Sequence, residues 1–399
     1  MNKPVSIAVF RSLFIIHCTV IVVQYSAAQL PNQALNWPLT ADSASVKKLS
    51  FRFTALGFVK NNEYFGPIAD GYTLWGYQLN PQLTYQPAPG VLLAGGVFIQ
   101  KNFGEPVFVQ RVVPTFTIQF QRRNWLYRFG TLDGSTSHRL IEPLYNFERL
   151  PRARIENGLQ LVHQTDRTFL DIWVSYPQNT LPGYTRQEQF WGGISSEWQL
   201  GKSVRGSTFD AQLSSPVQLT AFHEGGQNLA VPATVRTAFN GAAALSLSWK
   251  TAPRGTARRG TARRGFARKQ AFWQGGRLDL YGTFYTETAD ESFAGTGFYP
   301  NLRLDMRPFS VLFSYWNGHT YRAEYGGDLY QSYSRMVGSS RIEPRRSLLI
   351  VRFLRDFEVA DGLTATVRFE PHYDFGNGLF EHSEGVYLTY RFKAGIGRP

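Results

Sequence analysis

Apolar and polar side chains alternate strictly at the C-terminal end of the chain. One set of alternate positions is Val386, Leu388, Tyr390 and Phe392. The other set ends in Arg391 and Lys393, which carry fixed charge. Because successive side chains of a β-strand point to opposite sides, this pattern predicts a strand with one apolar and one polar face. The same period of two recurs throughout the chain and predicts an all-β fold.

Segments with this pattern predict about sixteen strands, with fourteen to eighteen as the range. They lie near residues 48–60, 72–86, 91–101, 107–121, 125–132, 154–164, 168–177, 188–200, 209–222, 240–250, 271–287, 298–306, 309–317, 346–357, 363–374 and 385–393. Short connections alternate with mostly longer ones, as expected for the periplasmic turns and extracellular loops of a bacterial barrel. The sequence therefore predicts an antiparallel transmembrane β-barrel with a polar lumen and an apolar exterior.

The N-terminus has the features of a signal peptide. A basic start, an apolar core over residues 13–23 and small residues ending at Ala28 are typical of such leaders. We therefore divide the chain into a signal peptide (1–28) cleaved after Ala28, a short periplasmic N-terminal segment (29–47), a single barrel domain (48–393) and a C-terminal tail (394–399). Cys18, the only cysteine, lies in the leader, so we expect no disulfide, no metal site and no cofactor in the mature chain.

The leader, the Gly- and aromatic-rich strands and the closing run from Val386 to Phe392 resemble a porin-type Gram-negative outer-membrane β-barrel protein. The resemblance implies export to the cell outer membrane and insertion by the barrel-assembly machinery, with outer-membrane lipid and lipopolysaccharide as partners. It also implies passive transport of small polar solutes through a channel, and it leaves homo-oligomer formation open. One departure is that residues 393–399 follow Phe392, whereas an aromatic residue ends many such chains.

Charged residues fall on the predicted lumen face of many strands. The pore-lining candidates are Arg52, Arg123, Arg128, Asp171, Arg277, Asp279, Arg368, Glu370, Asp374 and Arg391. Cations outnumber anions in this set, and rings of arginine and lysine favour anions in a pore. The sequence thus predicts a weak preference for anionic solutes. The alternative is that these charges pair across neighbouring strands and only solvate the wall.

The segment from Gly134 to Arg154 is the best candidate for a constriction loop. It combines two prolines with many charged side chains, and a loop of this length in a barrel usually caps the mouth or folds inward. The constriction-loop candidates are His138, Arg139, Glu142, Glu148, Arg149 and Arg152. The alternative is an extracellular loop that is held down by its own arginine–glutamate pairs.

An Arg-rich, low-complexity insert occupies residues 251–270. Its near-repeats contain Arg254, Arg258, Arg259, Arg263, Arg264, Arg268 and Lys269 with no acidic residue, within a chain of net charge +13. Such blocks usually bind polyanions, for which lipopolysaccharide phosphates are available partners. We expect no nucleic acid partner for an exported barrel. The alternative is an expanded connection without a selected role.

A hydrolase would need a serine, a histidine and an acidic or amide partner at one site. The nearest grouping in sequence is Ser135, Ser137 and His138 with Glu142. Adjacent residues of an extended chain point apart, and the sequence has no zinc-type His-Glu-x-x-His motif, nucleophile elbow or phosphate loop. We therefore expect a porin-like channel for passive diffusion and no enzyme. The alternatives are a closed barrel that binds or scaffolds through its loops and, less favoured, an outer-membrane hydrolase.

Overall fold

A computed structural model describes residues 30, 32–132, 138–206, 209–226, 234–251, 272–288 and 293–397. The predicted signal peptide and the serines Ser135 and Ser137 lie outside these described residues. The polyanion-binding candidates, from Arg254 to Lys269, lie outside them as well. The signal peptide and the polyanion-binding role of the insert therefore stay predictions.

The described residues form sixteen antiparallel strands. The strands are β1 (Leu49–Glu63), β2 (Tyr72–Ala88), β3 (Val91–Asn102), β4 (Arg111–Arg122), β5 (Trp125–Thr131), β6 (Asn157–Gln164), β7 (Thr168–Gln178), β8 (Gln189–Arg205), β9 (Phe209–Glu224), β10 (Arg236–Thr251), β11 (Trp273–Thr288), β12 (Phe293–Met306), β13 (Ser310–His319), β14 (Arg345–Ala360), β15 (Leu363–Asp374) and β16 (Leu379–Ile396). Each strand pairs with its neighbours in sequence, and β1 pairs with β16 to close the barrel. The predicted fold class is confirmed.

Helical structure in the described chain is confined to short turns. These are α1 (Arg149–Arg152) and the 3₁₀ turns Gln33–Leu35, Ser43–Ser45 and Asp328–Tyr330. None of the helices in the described ranges has the length and apolar character needed to cross a membrane.

The two faces of each strand differ in exposure as the alternation predicts. In β16, Val386 and Leu388 are 46% and 49% exposed, whereas Tyr387 between them is 0% exposed. In β15, Val367 points outward in the same way and Arg368 is buried inside. A continuous outward band of apolar side chains suits contact with lipid. The protein is therefore a transmembrane β-barrel.

Tight turns join the strands at one end of the barrel and longer loops join them at the other. Gly90 (φ +76°) and Gly362 (φ +71°) adopt the left-handed conformation that two of the tight turns require. The long loops include L1 (64–71), L3 (132 and 138–156 of the described residues) and L7 (320–344). This alternation was predicted, and it makes the loop end the outer end. β10 ends at Thr251 and β11 begins at Trp273, both at the turn end of the barrel.

Three segments pack inside the barrel: the N-terminal segment (residues 30 and 32–48), L3 and L7. Their buried apolar side chains include Leu35, Trp37, Leu140, Ile141, Leu144, Phe147, Leu150, Tyr321 and Tyr330. L3 packs against the wall tryptophans Trp173 and Trp191 in one hydrophobic cluster, and it meets the N-terminal segment in a second. Burial of apolar surface stabilises this arrangement by about 25 cal/mol per Å². The described residues thus fill much of the lumen.

Arginines of the wall hold the backbone of the N-terminal segment. Arg52 Nη2 donates to the carbonyl oxygen of Trp37 (2.9 Å), and Arg391 Nη2 donates to that of Gln33 (3.1 Å). Arg368 Nη1 donates to Asn32 Oδ1 at 3.0 Å. The sequence placed this segment in the periplasm, but in the structure it enters the barrel, because its carbonyl groups find charged donors there.

Candidate functional site

The predicted pore-lining residues lie on the lumen side, with one exception. Arg123 is exposed in the turn between β4 and β5, where its φ is +53°. It misses the wall because a tight turn interrupts the alternation at that position. This residue therefore does not line the lumen.

Most of the other lumen charges are paired. Arg277 contacts Glu197 and Asp279, each at 2.7 Å. Asp374 contacts Arg346 at 2.6 Å. Arg128 donates hydrogen bonds to Gln119 and Gln160. Asp171 forms an ion pair with His138, and Glu370 forms one with Arg368. The alternative in which charges pair across the wall therefore describes these residues, and selectivity for anions stays a prediction.

L3 folds into the barrel, and His138 fixes its first part. The imidazole lies between two carboxylates, with Nδ1 2.9 Å from Asp171 Oδ2 and Nε2 3.0 Å from Glu156 Oε2. It also stacks on Trp173, with ring centroids 4.0 Å apart. Burial alone would disfavour the charged ring, but the two carboxylates outweigh it and raise the pKa of His138 to about 9. His138 is thus a charged anchor whose two nitrogens are both occupied.

Glu142 fixes the middle of L3 against the opposite wall. Its carboxylate accepts hydrogen bonds from Arg352 of β14, from Arg368 Nη2 of β15 (2.8 Å) and from the Tyr330 hydroxyl of L7 (3.1 Å). Burial alone would raise the pKa of Glu142, yet the two guanidiniums lower it below its usual range. One loop carboxylate therefore joins L3, L7 and two strands.

The remaining candidates of L3 lie at different depths: Arg139 is near the turn between β6 and β7, whereas Arg149 and Arg152 line the larger cavity between L3 and L7. Arg139 stacks over the ring of Phe169 at 3.4 Å. Arg149 stacks over Tyr325 of L7 at 3.9 Å and lies 3.9 Å from Glu156. Arg152 is exposed above Tyr72. The loop is therefore held partly by its own Arg149–Glu156 pair and mainly by contacts with the wall.

A second polar group lies where β1, β16 and L3 meet, and we call it the outer cluster. It consists of Lys60, Asn62, Glu148 and Ser383. Lys60 Nζ donates to Ser383 Oγ at 3.1 Å and lies 3.7 Å from Glu148 Oε1. Asn62 Nδ2 donates to the same Glu148 oxygen at 2.8 Å. A hydroxyl, an amine and a carboxylate thus form one buried chain.

Two cavities adjoin the outer cluster. A small cavity of about 40 Å³ is lined by Lys60, Glu148 and Tyr64, and by Arg352 and Glu370 deeper in the lumen. That volume is enough for an ordered water. A larger cavity of about 320 Å³ lies between L3 and L7 and is also lined by Glu148, together with Asn146, Arg149, Arg152, Glu324, Tyr325 and Asp328. Both cavities are lined by Asn146, Glu148 and Asp328. Because the larger cavity lies between the outer loops L3 and L7, the outer cluster is close to the outer end of the barrel.

A histidine–carboxylate pair borders the outer cluster. His372 Nε2 lies 2.9 Å from Glu381 Oε2, and the other carboxylate oxygen of Glu381 accepts from the backbone of Gly66 in L1 at 2.6 Å. The ring of Tyr64 packs edge-on against His372 at 5.3 Å. The carboxylate of Glu381 therefore joins His372 of β15 to the backbone of L1.

The sequence analysis missed the outer cluster because its members are far apart in the chain. Lys60 and Ser383 belong to the first and last strands, which only closure of the barrel brings together. The period of two predicted a strand only as far as Lys60, and Ser383 fell in the connection before the predicted segment 385–393. Among the described residues, no group of three His, Cys, Asp or Glu side chains could hold a metal ion.

Solved structures that resemble this chain are outer-membrane barrels. OmpTdeltaL8, a loop-deletion mutant of OmpT from Vibrio cholerae, is 8% identical, with 86% of this chain and 99% of that chain covered and a TM-score of 0.46. OccAB4 of Acinetobacter baumannii is 10% identical, with 88% and 100% covered and a TM-score of 0.41. OccK2 (OpdF) of Pseudomonas aeruginosa, in complex with glucuronate, is 10% identical, with 87% and 99% covered and a TM-score of 0.43. These likenesses concern the fold alone.

Comparison of the sequence with protein families is more specific than comparison of the fold with solved structures. No curated protein matches this chain. Residues 41–399 match the model of a family described as lipid A 3'-O-deacylase-type. The match spans all sixteen strands of the described barrel.

Proposed function

Because the chain belongs to the lipid A 3'-O-deacylase-type family, we propose that it hydrolyses an acyl ester of a lipid A-type glycolipid. The observation that carries the proposal is the family match over residues 41–399, which includes the whole barrel. The expectation that the chain is not an enzyme is wrong, because this family is an enzyme family. The sequence analysis reached that expectation because no local motif reveals groups that only the closed barrel brings together.

The outer end of the barrel is where this reaction would take place. The small cavity there is lined by the amine of Lys60, by Tyr64 and by the carboxylates of Glu148 and Glu370, and Lys60 Nζ lies 3.1 Å from the hydroxyl oxygen of Ser383. Amines, hydroxyls and carboxylates are the kinds of groups that ester hydrolysis uses. Arg149 and Arg152 line the larger cavity, and guanidinium groups bind phosphates in a bidentate manner. A phosphorylated glycolipid in the outer leaflet would approach the barrel at this end.

Mass spectrometry of lipid A tests the proposal. The refolded full chain is incorporated into vesicles that contain hexa-acylated lipid A, and the lipid is analysed over time. We expect loss of the mass of one acyl chain together with release of one free fatty acid. Protein that is denatured before mixing is the control and should leave the lipid unchanged. Intact lipid A in the presence of correctly folded barrel would contradict the proposal.

Passive diffusion of small polar solutes is the second candidate, and the strand number favours it. Barrels of sixteen strands are wide enough for an aqueous channel. However, L3, L7 and the N-terminal segment pack in the lumen over the described residues. We therefore expect no large, steady conductance when the protein is inserted in a planar bilayer. A large conductance with an anion-selective reversal potential would instead support the channel.

A further inference from the structure

We propose that Ser383 and Lys60 form the nucleophile and base of an acyl-transfer site, a proposal that rests on the function proposed above. Ser383 Oγ and Lys60 Nζ are 3.1 Å apart. Both side chains are buried, with 0% and 3% exposure. A nucleophile and a base within hydrogen-bond distance, with a third group that orients the base, is the arrangement that activates a serine.

The third group is Glu148 of L3. Its Oε1 lies 3.7 Å from Lys60 Nζ and accepts a hydrogen bond from Asn62 at 2.8 Å. Asn62 lies directly opposite Ser383 in the pairing of β1 with β16, and Lys60 lies opposite Gly385. The pairing of β1 with β16, which closes the barrel and which we call the closing seam, thus brings the polar side chains of both strands close to Glu148.

Gly385 makes the seam compact enough for this contact. A Cβ atom at that position would lie 2.7 Å from the hydroxyl oxygen of Tyr387 and 2.8 Å from its ring. Tyr387 is itself fully buried and packs edge-on against Phe147 of L3, at 5.9 Å between ring centroids. The residue opposite Lys60 therefore has no side chain, and the aromatic packing beside it holds L3 close to the seam.

Another buried serine shows what distinguishes this pair. Ser314 accepts a hydrogen bond from Arg352 Nη1 at 3.2 Å and is 1% exposed. A guanidinium stays protonated in proteins and cannot accept a proton, whereas an amine can. Ser314 and Ser383 are thus equally buried and each contacts a basic side chain, but of the two only Ser383 has a partner that can serve as a base.

The reaction would proceed in two balanced halves. Ser383 Oγ bonds to the acyl carbonyl carbon while neutral Lys60 takes the hydroxyl proton, and the sugar oxygen departs with that proton from Lys60. The products of this half are acyl-Ser383 and the free sugar hydroxyl. Water then gives a proton to Lys60 and its oxygen bonds to the acyl carbon. Ser383 Oγ leaves, recovers the proton and releases a fatty acid.

Two measurements on the refolded full chain in vesicles test this pair. The first is the rate of fatty acid release from lipid A by Ser383→Ala and Lys60→Arg, each of which we expect to lower the rate by about 1,000-fold or more. Lys60→Arg replaces the amine with a guanidinium of similar length, which stays protonated and cannot act as the base. Ser314→Ala is the matched control and should retain the wild-type rate. Folding of every variant is checked by the heat-dependent mobility of the barrel in gels.

The second measurement is covalent labelling with a fluorophosphonate probe, followed by peptide mass spectrometry. We expect phosphonylation of Ser383 in the wild type and in Ser314→Ala, and its loss in Lys60→Arg. Hydrolysis of lipid A that persists in Ser383→Ala would overturn the pair and leave the proposed function intact. Labelled Ser383 without hydrolysis of lipid A would support the pair and overturn the lipid A assignment. Neither labelling nor hydrolysis would overturn both.

Discussion

Replacing Glu142 with alanine is expected to destabilise the barrel by about 3–5 kcal/mol, the usual cost of leaving a buried charge without its partner. Glu142 is the loop carboxylate that contacts both Arg352 and Arg368, which are 1% and 2% exposed. Without it, these two guanidiniums share only Glu370 among the described carboxylates. The free energy of unfolding in urea, followed by tryptophan fluorescence of vesicle-bound protein, measures the change.

Glu324→Ala is the matched control for Glu142→Ala. Glu324 is also a loop carboxylate that contacts an arginine of the wall, Arg236 of β10, at 2.9 Å. Its side chain is 25% exposed, so we expect a loss of about 1 kcal/mol or less. An equal, small effect of both substitutions would show that Glu142 does not hold L3 in the lumen. Faster proteolysis within L3 in the Glu142 variant would locate the change.

The stability of the wild-type protein is expected to fall as pH rises from about 6.5 to about 9, because of His138. Its pKa is about 9 in the folded barrel and 6.5 in the unfolded reference. A group whose folded pKa is raised contributes its full stabilisation below the unfolded pKa and loses it as pH passes the folded pKa. A difference of this size corresponds to about 3 kcal/mol. The loss reflects neutralisation of the ring between Asp171 and Glu156.

His138→Gln isolates this effect from other titrating groups. Glutamine cannot carry the charge, so the variant should be less stable than the wild type at pH 6 and similar to it above pH 9. The quantity to measure is the difference in free energy of unfolding between the two proteins at each pH. A difference that stays constant from pH 6 to pH 9.5 would contradict the role of His138 as a charged anchor of L3.

The alternation of side chains determined the barrel. A strand has a period of two, and each strand of a membrane barrel must separate lipid from water by itself. The pattern in β16 is therefore local, and it can be recognised without knowing which strand lies beside it. The same reasoning located the turns, because a turn interrupts the period. Arg123 was assigned to the wall although it lies in the predicted connection between the segments 107–121 and 125–132, and the structure places it in that turn.

What occupies the lumen was decided only by tertiary structure. Sequence analysis identified L3 as a special loop, but its inward path depends on His138 finding Asp171 and Glu142 finding Arg352 and Arg368, which lie in distant strands. A polar residue on the lumen side looks the same in sequence whether it faces water, an ion partner or a loop. The period of two therefore predicts the side and not the partner.

The candidate reaction site is the clearest case in which the sequence could not predict which residues contact each other. Lys60 and Ser383 are separated by 323 positions along the chain, and no spacing rule relates them. The sequence by itself predicted that Lys60, in the segment 48–60, lies on the polar face, because strand alternation is a local property of the backbone, whereas Ser383 fell in the predicted connection before the segment 385–393. Only closure of β1 on β16 brought the amine to the hydroxyl, because hydrogen bonding between the first and last strands is a property of the complete barrel.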